Sequence, residues 1–303
     1  MKTKQGNYVS SDIQEFPDLR AVRKTPAGGF GKGPFAIVIA EDKRETSATL
    51  HHVLQLGFRK VFLVAPQGLM LDPDMEIFAE KLVLIRDRTR RPNAAQDAVN
   101  SLMDILAGEW IHYCFNGEFL FYPFCEDRTI AEVATFITEE RRRSALTYVI
   151  DLYAGDLNTF PDAVSLDNAL LDGSGYYAEP RRDANDVDMD RQMNFYGGLR
   201  WRFEEHVDDS KRKIDRVGLF RAETGLRLRD NHTLSDEEMN TFACPWHHSL
   251  TATICSFRVA KALRSNPGSR DDIHDFRWHR SERFQWSSQQ LMDLGLMEPG
   301  QWF

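Results

Sequence analysis

Between residues 34 and 153 short apolar runs alternate with amphipathic stretches, and this alternation constrains the fold more than any other feature of the chain. PFAIVIA (34–40), KVFLVA (60–65), LVLI (82–85) and LTYVIDLY (146–153) have the length and apolar content of buried strands. Between them, ETSATLHHVLQLG (45–57) puts Leu50, Val53 and Leu54 on one helical face and ends at Gly57. PNAAQDAVNSLMDILAG (92–108) has Asn93 as a cap, Ala98, Leu102, Ile105 and Leu106 as its face, and Gly108 as its stop. IAEVATFITEERRR (130–143) repeats the pattern with Ile130, Val133, Ala134 and Ile137. Alternation of this kind predicts an α/β fold, a mostly parallel sheet with helices on both faces. In such sheets ligands bind beyond the carboxyl ends of the strands.

That rule directs attention to WIHYCFNGEFLFYP (110–123), a further strand that runs into Asn-Gly-Glu. Glu118 is a lone carboxylate in apolar surroundings. It reads either as the remnant of a catalytic site or as the edge of a tight turn made by Asn116-Gly117. Asp151, closing LTYVID, reads as a second acid facing the same cleft or as a residue capping a turn.

The flanking regions are less regular. Residues 1–33 read as a flexible leader ending in the linker TPAGGFGKGP. Its GFGKG piece fails as a phosphate loop: Gly33 stands where Ser or Thr should follow the lysine, and the stretch precedes a strand. DGSGYYAEPRRDANDVDMDR (172–191) reads as a long loop, lid or solvated insertion. KIDRVGLFRA (213–222) carries strand signals, and SLTATICSFRVAKALR (249–264) is expected to be a helix. The main domain is placed at 34–265. The tail, 266–303, has three tryptophans and is expected to pack back on it.

Composition excludes some classes of function. A net charge of −8 disfavours nucleic acid as a partner. No segment approaches the ~20 apolar residues of a membrane span, and the N-terminal residues have no apolar run of a secretory signal, so a cytoplasmic location is expected. Four cysteines without a C-x-x-C pair suit reduced thiols. The basic runs RDRTRR (86–91) and RRRSAL (141–146) read as solvated ends of elements; the other reading is contact with an anionic acceptor or a membrane surface.

Several stretches resemble, in order, the bacterial branch of glycosyltransferase family 2. They are ETSATLHHVLQLGFRKVFLVA, AAQDAVNSLMDILAGEWIHYCFNGEFLFYP, YGGLRWRF (196–203) and the C-terminal SSQQLMDLGLMEPGQWF. The resemblance implies a GT-A fold, a Rossmann-like sheet joined to an acceptor-binding region. It implies transfer of a sugar from a nucleotide-sugar to a hydroxyl, on a glycan or another acceptor. It also implies a Mg²⁺ or Mn²⁺ ion bridging the diphosphate, held by an Asp-x-Asp motif that precedes Glu-Phe. This chain departs from that motif: Phe115, Asn116 and Gly117 precede Glu118 and Phe119, so any such ion is expected to be loosely held. Ala65-Pro66-Gln67 and Ser256-Phe257-Arg258 are two further departures.

Under this resemblance Glu118 and Asp151 are the candidate catalytic carboxylates. Arg200 and Arg202, two apart and on one face if the segment is a strand, could clamp a diphosphate without a metal; the plainer reading is pairing with nearby acids. His232, Trp246 and His248 are candidates for donor or substrate binding, with Trp246 as a sugar-stacking wall or as packing at a helix start. Cys244-x-x-His247 hints at zinc, but no second pair stands at zinc-site spacing. The missing aspartates motivate the alternative that the chain is an inactive relative that binds a glycan or a protein partner.

Overall fold

Phe35–Ile39 (β2) is buried at every position, and its side chains divide by parity between two cores. Ile37 and Ile39 join Phe62, Val64, Val83, Val99 and Leu102 on one face of the sheet. Ala36 and Val38 join Leu50, Val53, Leu63, Ile130 and Val133 on the other. A strand buried on both faces needs helices on both, and the computed structural model, which describes residues 13–302, has them. Leu19–Val22 (α1) and Ala94–Met103 (α3) cover the first face. Thr46–Gln55 (α2) and Ile130–Glu139 (α4) cover the second. Thr129 starts α4 with a capping box closed by Glu132.

Among the described residues the central sheet has nine strands. From one edge they are Gln14–Phe16 (β1), Leu82–Arg86 (β4), Lys60–Ala65 (β3), β2, Trp110–Phe115 (β5), Asp215–Arg221 (β12), Ser144–Asp151 (β7), Ala252–Ser256 (β13) and Glu118–Phe121 (β6). Only β12 and β6 run against the others. The chain moves outward from β2 to β3 and β4, then returns to lay β5 on the other side of β2. The carboxyl ends of β2 and β5 therefore flank a topological switch point. A smaller sheet, Tyr153–Ala154 (β8), Ala169–Asp172 (β9) and Ser281–Arg283 (β14), extends beyond the carboxyl end of β7. Leu199–Arg202 (α5), Arg258–Ser265 (α6) and Pro267–Arg270 (α7) lie beside it, and Ser288–Asp293 (α8) follows β14. The tail stacks on the domain: Trp286 meets Phe119 at 4.9 Å between ring centroids, and Trp302 meets Phe136 at 5.7 Å.

Four sequence expectations are corrected. The segment 249–264 is not one helix. Ala252–Ser256 is β13, paired in parallel with β7, and the helix starts at Arg258. Alternating Thr251, Thr253 and the β-branched Ile254 fit a pleated strand, and sheet pairing decides the segment. The polar stretch 172–191 is not an irregular loop. Tyr177–Arg182 (β10) and Asp188–Tyr196 (β11) form an antiparallel hairpin, whose turn Asp183 closes by accepting from the N–H groups of Asn185 and Val187. Residues 196–203 do not continue a strand through Arg200 and Arg202. Gly197 (φ +151°) and Gly198 (φ +64°) turn the backbone sharply, and both arginines sit on the four-residue α5. The expected leader is in part structured: β1 adds in parallel to β4, while residues 1–12 lie outside the described residues.

Candidate active site at the strand carboxyl ends

Gly117 takes φ +75° between β5 and β6, and this turn delivers two polar side chains into the sheet's carboxyl edge. Asn116 is buried at the switch point. Its side chain accepts from the Glu41 N–H (2.8 Å) and donates to Asp42 Oδ1 (2.8 Å) and the Arg44 carbonyl (2.8 Å). Asp42 in turn pairs with Lys261 at 3.0 Å, and Glu41 with Arg258 at 2.7 and 2.9 Å. The Arg258 guanidinium lies 3.8 Å from the centroid of the Phe115 ring. The crevice that the topology opens is thus crossed by internal ion pairs.

Glu118 is the first residue of β6 and has no exposed surface. It stands at the edge of the tight turn that Asn116 and Gly117 make, with its carboxylate facing inward. Its carboxylate accepts from Arg216 Nη1 (2.7 Å) and Nη2 (3.2 Å), from the Phe115 N–H (2.9 Å) and from Ser256 Oγ (3.1 Å). Burial alone would raise its pKa. The charge and hydrogen bonds of Arg216, helped by Arg258 and the Phe115 N–H, outweigh burial and bring it down to about 2. Arg216 also lies over the Tyr113 and Phe115 rings, 5.6 Å from each centroid. The Tyr113 hydroxyl and His232 Nδ1 share a hydrogen bond of 2.9 Å. Burial, then the nearby Arg216 and Arg258 charges, holds His232 down to about 3, so its imidazole is neutral.

Asp151 ends β7 in register with Ser256, which is itself in register with Glu118. The two candidate carboxylates therefore share one row of the sheet, separated by the intervening strand β13. Asp151 has far weaker support than Glu118. Oδ1 accepts from Arg200 Nε at 3.4 Å, and Oδ2 has no hydrogen-bond partner among the described residues. Burial dominates, the Arg200 charge offsets it only in part, and the pKa rises to about 6. Gly197 and Gly198 permit this crowding. A Cβ on Gly198 would lie 3.0 Å from Asp151 Oδ2, and one on Gly197 would lie 2.2 Å from the Tyr176 ring.

Both arginines of the expected diphosphate clamp are engaged by buried acids. Arg200 donates to Asp151 and, at 2.7 Å, to the Lys213 carbonyl. Arg202 donates to both oxygens of Asp172 (2.8 and 3.2 Å) and to the Phe276 carbonyl (2.6 Å). Its guanidinium is 5.0 Å from the Trp278 ring centroid. The pairing reading describes both residues as they stand.

The structure brings Glu118, Asp151, Arg200, Arg202 and His232 toward the carboxyl end of the sheet. It places Trp246 and His248 elsewhere. Trp246 lines a cavity with Arg142, Arg143 and Ser144 at the amino end of β7, about 23 Å along that strand from Asp151. Trp246 is 71% exposed, and His248 is exposed beside Phe242. A helix start packed by Trp246 is therefore also corrected. The basic runs are largely absorbed by internal contacts. Arg86 bonds Glu15 and the Leu69 carbonyl, Arg91 pairs with Asp87 and Asp97, and Arg143 with Glu223 and Asp236.

Sequence reasoning missed Arg216, the partner that defines Glu118, and the acids Asp172, Glu41 and Asp42. One signal was present: an arginine inside the apolar strand run DRVGLF demands a buried counter-charge.

The residues at the end of β5 do not fit a resident Mg²⁺ or Mn²⁺ ion. Phe115 and Gly117 offer no ligand oxygen from a side chain, the Glu118 oxygens are held by Arg216 and its other donors, and Asp42 and Glu41 face cations. No helix among the described residues is long and apolar enough to cross a membrane. In comparison with known proteins, no family model matches the chain and no curated protein matches it in sequence.

Proposed function

We propose that this chain is a glycosyltransferase-like scaffold, GT-A in type, that does not carry out metal-dependent sugar transfer and serves to bind a glycan or a protein partner. One observation carries this reading: the Glu118 carboxylate, at the position where the resemblance expects metal and donor chemistry, is fully buried and held bidentately by Arg216. A carboxylate so paired is a poor base and a poor metal ligand. The open, mostly parallel sheet and its switch point support the scaffold half of the proposal.

A second reading, an active transferase, has Asp151 in its favour. A buried carboxylate with a pKa near 6 and one free oxygen at a strand's carboxyl end has the properties of a general base. For this reading Arg200 would have to exchange Asp151 for the donor diphosphate.

Calorimetric titration of the full chain with nucleoside diphosphates, with and without Mn²⁺, separates the two. The scaffold reading expects no Mn²⁺-dependent binding heat and no rise in melting temperature. Mn²⁺-dependent binding with a micromolar dissociation constant, together with turnover of a nucleotide-sugar that Asp151→Asn abolishes while keeping the binding, would establish the transferase.

A further inference from the structure

Far from the strand carboxyl ends, three potential metal ligands from two distant parts of the chain meet at the amino end of β7. Glu140 caps the carboxyl end of α4, and Cys244 and His247 stand in the turn Cys244-Pro245-Trp246-His247, closed by the Cys244 N–H donating to the His247 carbonyl at 3.1 Å. Cys244 Sγ lies 3.4 Å from His247 Nε2, and Nε2 lies 2.5 Å from Glu140 Oε2. One donor atom from each residue falls within 4.8 Å of the others. We propose that Glu140, Cys244 and His247 form a binding site for a thiophilic divalent cation, Zn²⁺ above all.

The donor set selects the metal. A thiolate and an imidazole nitrogen favour Zn²⁺ over Mg²⁺ or Ca²⁺, which take oxygen ligands. The spacing agrees. Zn–S and Zn–N bonds in a tetrahedron put the sulfur and nitrogen roughly 3.5 Å apart, and Cys244 Sγ and His247 Nε2 already stand at that separation. Because the sulfur is also 3.7 Å from Nδ1, the His247 ring must turn to aim its Nε2 lone pair at the ion, and the Glu140 oxygen must swing away from Nε2 by about 0.8 Å to take its own vertex. Of the two ring nitrogens, Nε2 is the nearer to the sulfur and is the one that meets the carboxylate, so it is the nitrogen a shared ion would take.

The ligands are held in place before any ion arrives. Arg142 donates to Thr241 Oγ1 (2.9 Å), the Thr241 carbonyl (2.5 Å) and the Ala243 carbonyl (3.0 Å). Arg191 also donates to the Ala243 carbonyl, at 2.9 Å. Two cations therefore pin the strand of loop that carries Cys244. All three ligand side chains are mostly buried, yet Glu140 and Cys244 border a cavity of about 90 Å³. Three protein ligands leave a fourth vertex for water or a small anion. Arg142 lines that cavity, and its buried Nε–H has no partner among the described residues. On binding, the Cys244 S–H proton is released to solvent and the proton between His247 Nε2 and Glu140 Oε2 is displaced to Nδ1 or to solvent; sulfur–, nitrogen– and oxygen–metal bonds form, and no electron is transferred.

Cobalt substitution tests the site. The full chain, stripped with chelator, is titrated with Co²⁺, and Zn²⁺ is then added in competition. The expected result is one equivalent of Co²⁺ with a sulfur-to-cobalt charge-transfer band and intense tetrahedral d–d bands, all displaced by Zn²⁺. In Cys244→Ser the charge-transfer band disappears. In His247→Gln, which keeps the thiol and changes a partly exposed side chain, Co²⁺ affinity falls at least ~10-fold, the loss that disturbing even an outer-sphere partner causes. The apo variants should keep the wild-type circular dichroism. A wild-type chain without the band, a band that survives Cys244→Ser, or unchanged affinity in His247→Gln overturns the proposal.

Discussion

Glu118 and Asp151 stand in one row of the sheet on either side of Ser256, and both are removed from water, yet they titrate in opposite directions. Burial pushes both upward. Glu118 ends near 2 because two Arg216 N–H groups, a backbone N–H and a serine hydroxyl converge on its oxygens. Asp151 ends near 6 because one long bond from Arg200 is its only hydrogen bond from a side chain, and one oxygen has no partner among the described residues. Two neighbouring acids thus differ by how many donors each receives rather than by how deep each lies. The first is a fastener between β5, β6, β12 and β13. The second is a loosely satisfied group of the sort found where chemistry or binding occurs.

The largest expected effect breaks the first half of the comparison. Glu118→Gln leaves the Arg216 charge buried without its counter-ion, and a loss of about 3–5 kcal/mol of stability is expected in urea denaturation at pH 7. Arg216→Met should cost a similar amount. The Glu118→Gln/Arg216→Met double variant should cost clearly less than the sum of the two singles, because both charges leave together. Additive losses would show that Glu118 and Arg216 are not one unit.

The second effect concerns pH. The folded-state pKa of Asp151, about 6, lies above the ~3.9 of an unfolded aspartate. Between those values the native chain holds the extra proton, so this group's contribution to stability falls as pH rises from about 4 to 6. Glu118 has the opposite sign: its contribution is present above the ordinary glutamate pKa and is lost as pH falls toward 2. Asp151→Asn removes the first dependence. Relative to wild type it should gain stability across pH 4 to 6, by up to about 2–3 kcal/mol at pH 7.5, a figure that already includes the attraction to Arg200 because that attraction helps set the pKa. Urea midpoints measured from pH 4 to 8 check this. Parallel curves for wild type and variant would place the Asp151 pKa in the ordinary range.

How far these two acids could be read from the sequence follows the same division. The strand–helix alternation was legible because β2, β3 and β4 are buried on both faces and their residues carry the pattern alone. Glu118 was visible as an anomaly, but its partner lies 98 residues away, and pairing at that distance leaves no local trace. The same holds for Glu140, separated by 107 residues from His247. Where local and long-range signals disagreed, the long-range ones won. Residues 252–256 became a strand because β7 and β6 offered two ladders, and α5 formed because Gly197 and Gly198 turn the chain there. The hairpin at 177–196 was hidden because its side chains are nearly all exposed or half-buried, so no apolar alternation marks it.

The smallest effect sharpens what surrounds Asp151. The Tyr176 hydroxyl is buried and, like Asp151 Oδ2, has no hydrogen-bond partner among the described residues. Nearby negative charge, from Asp172 and Asp151, adds to burial in raising its pKa. A buried hydroxyl without a partner carries a desolvation cost, which Tyr176→Phe removes while keeping the ring packed against Gly197. If the region is dry, the variant should be as stable as wild type or more stable by up to ~1 kcal/mol. A water bridging the hydroxyl to a carboxylate gives the reverse, a loss of about 1 kcal/mol, because that water would lose one of its partners. The two outcomes also bear on Asp151 itself. A dry setting keeps its pKa high and its pH signature steep. A bridged setting supplies the donor it lacks, lowers its pKa, and makes it resemble Glu118.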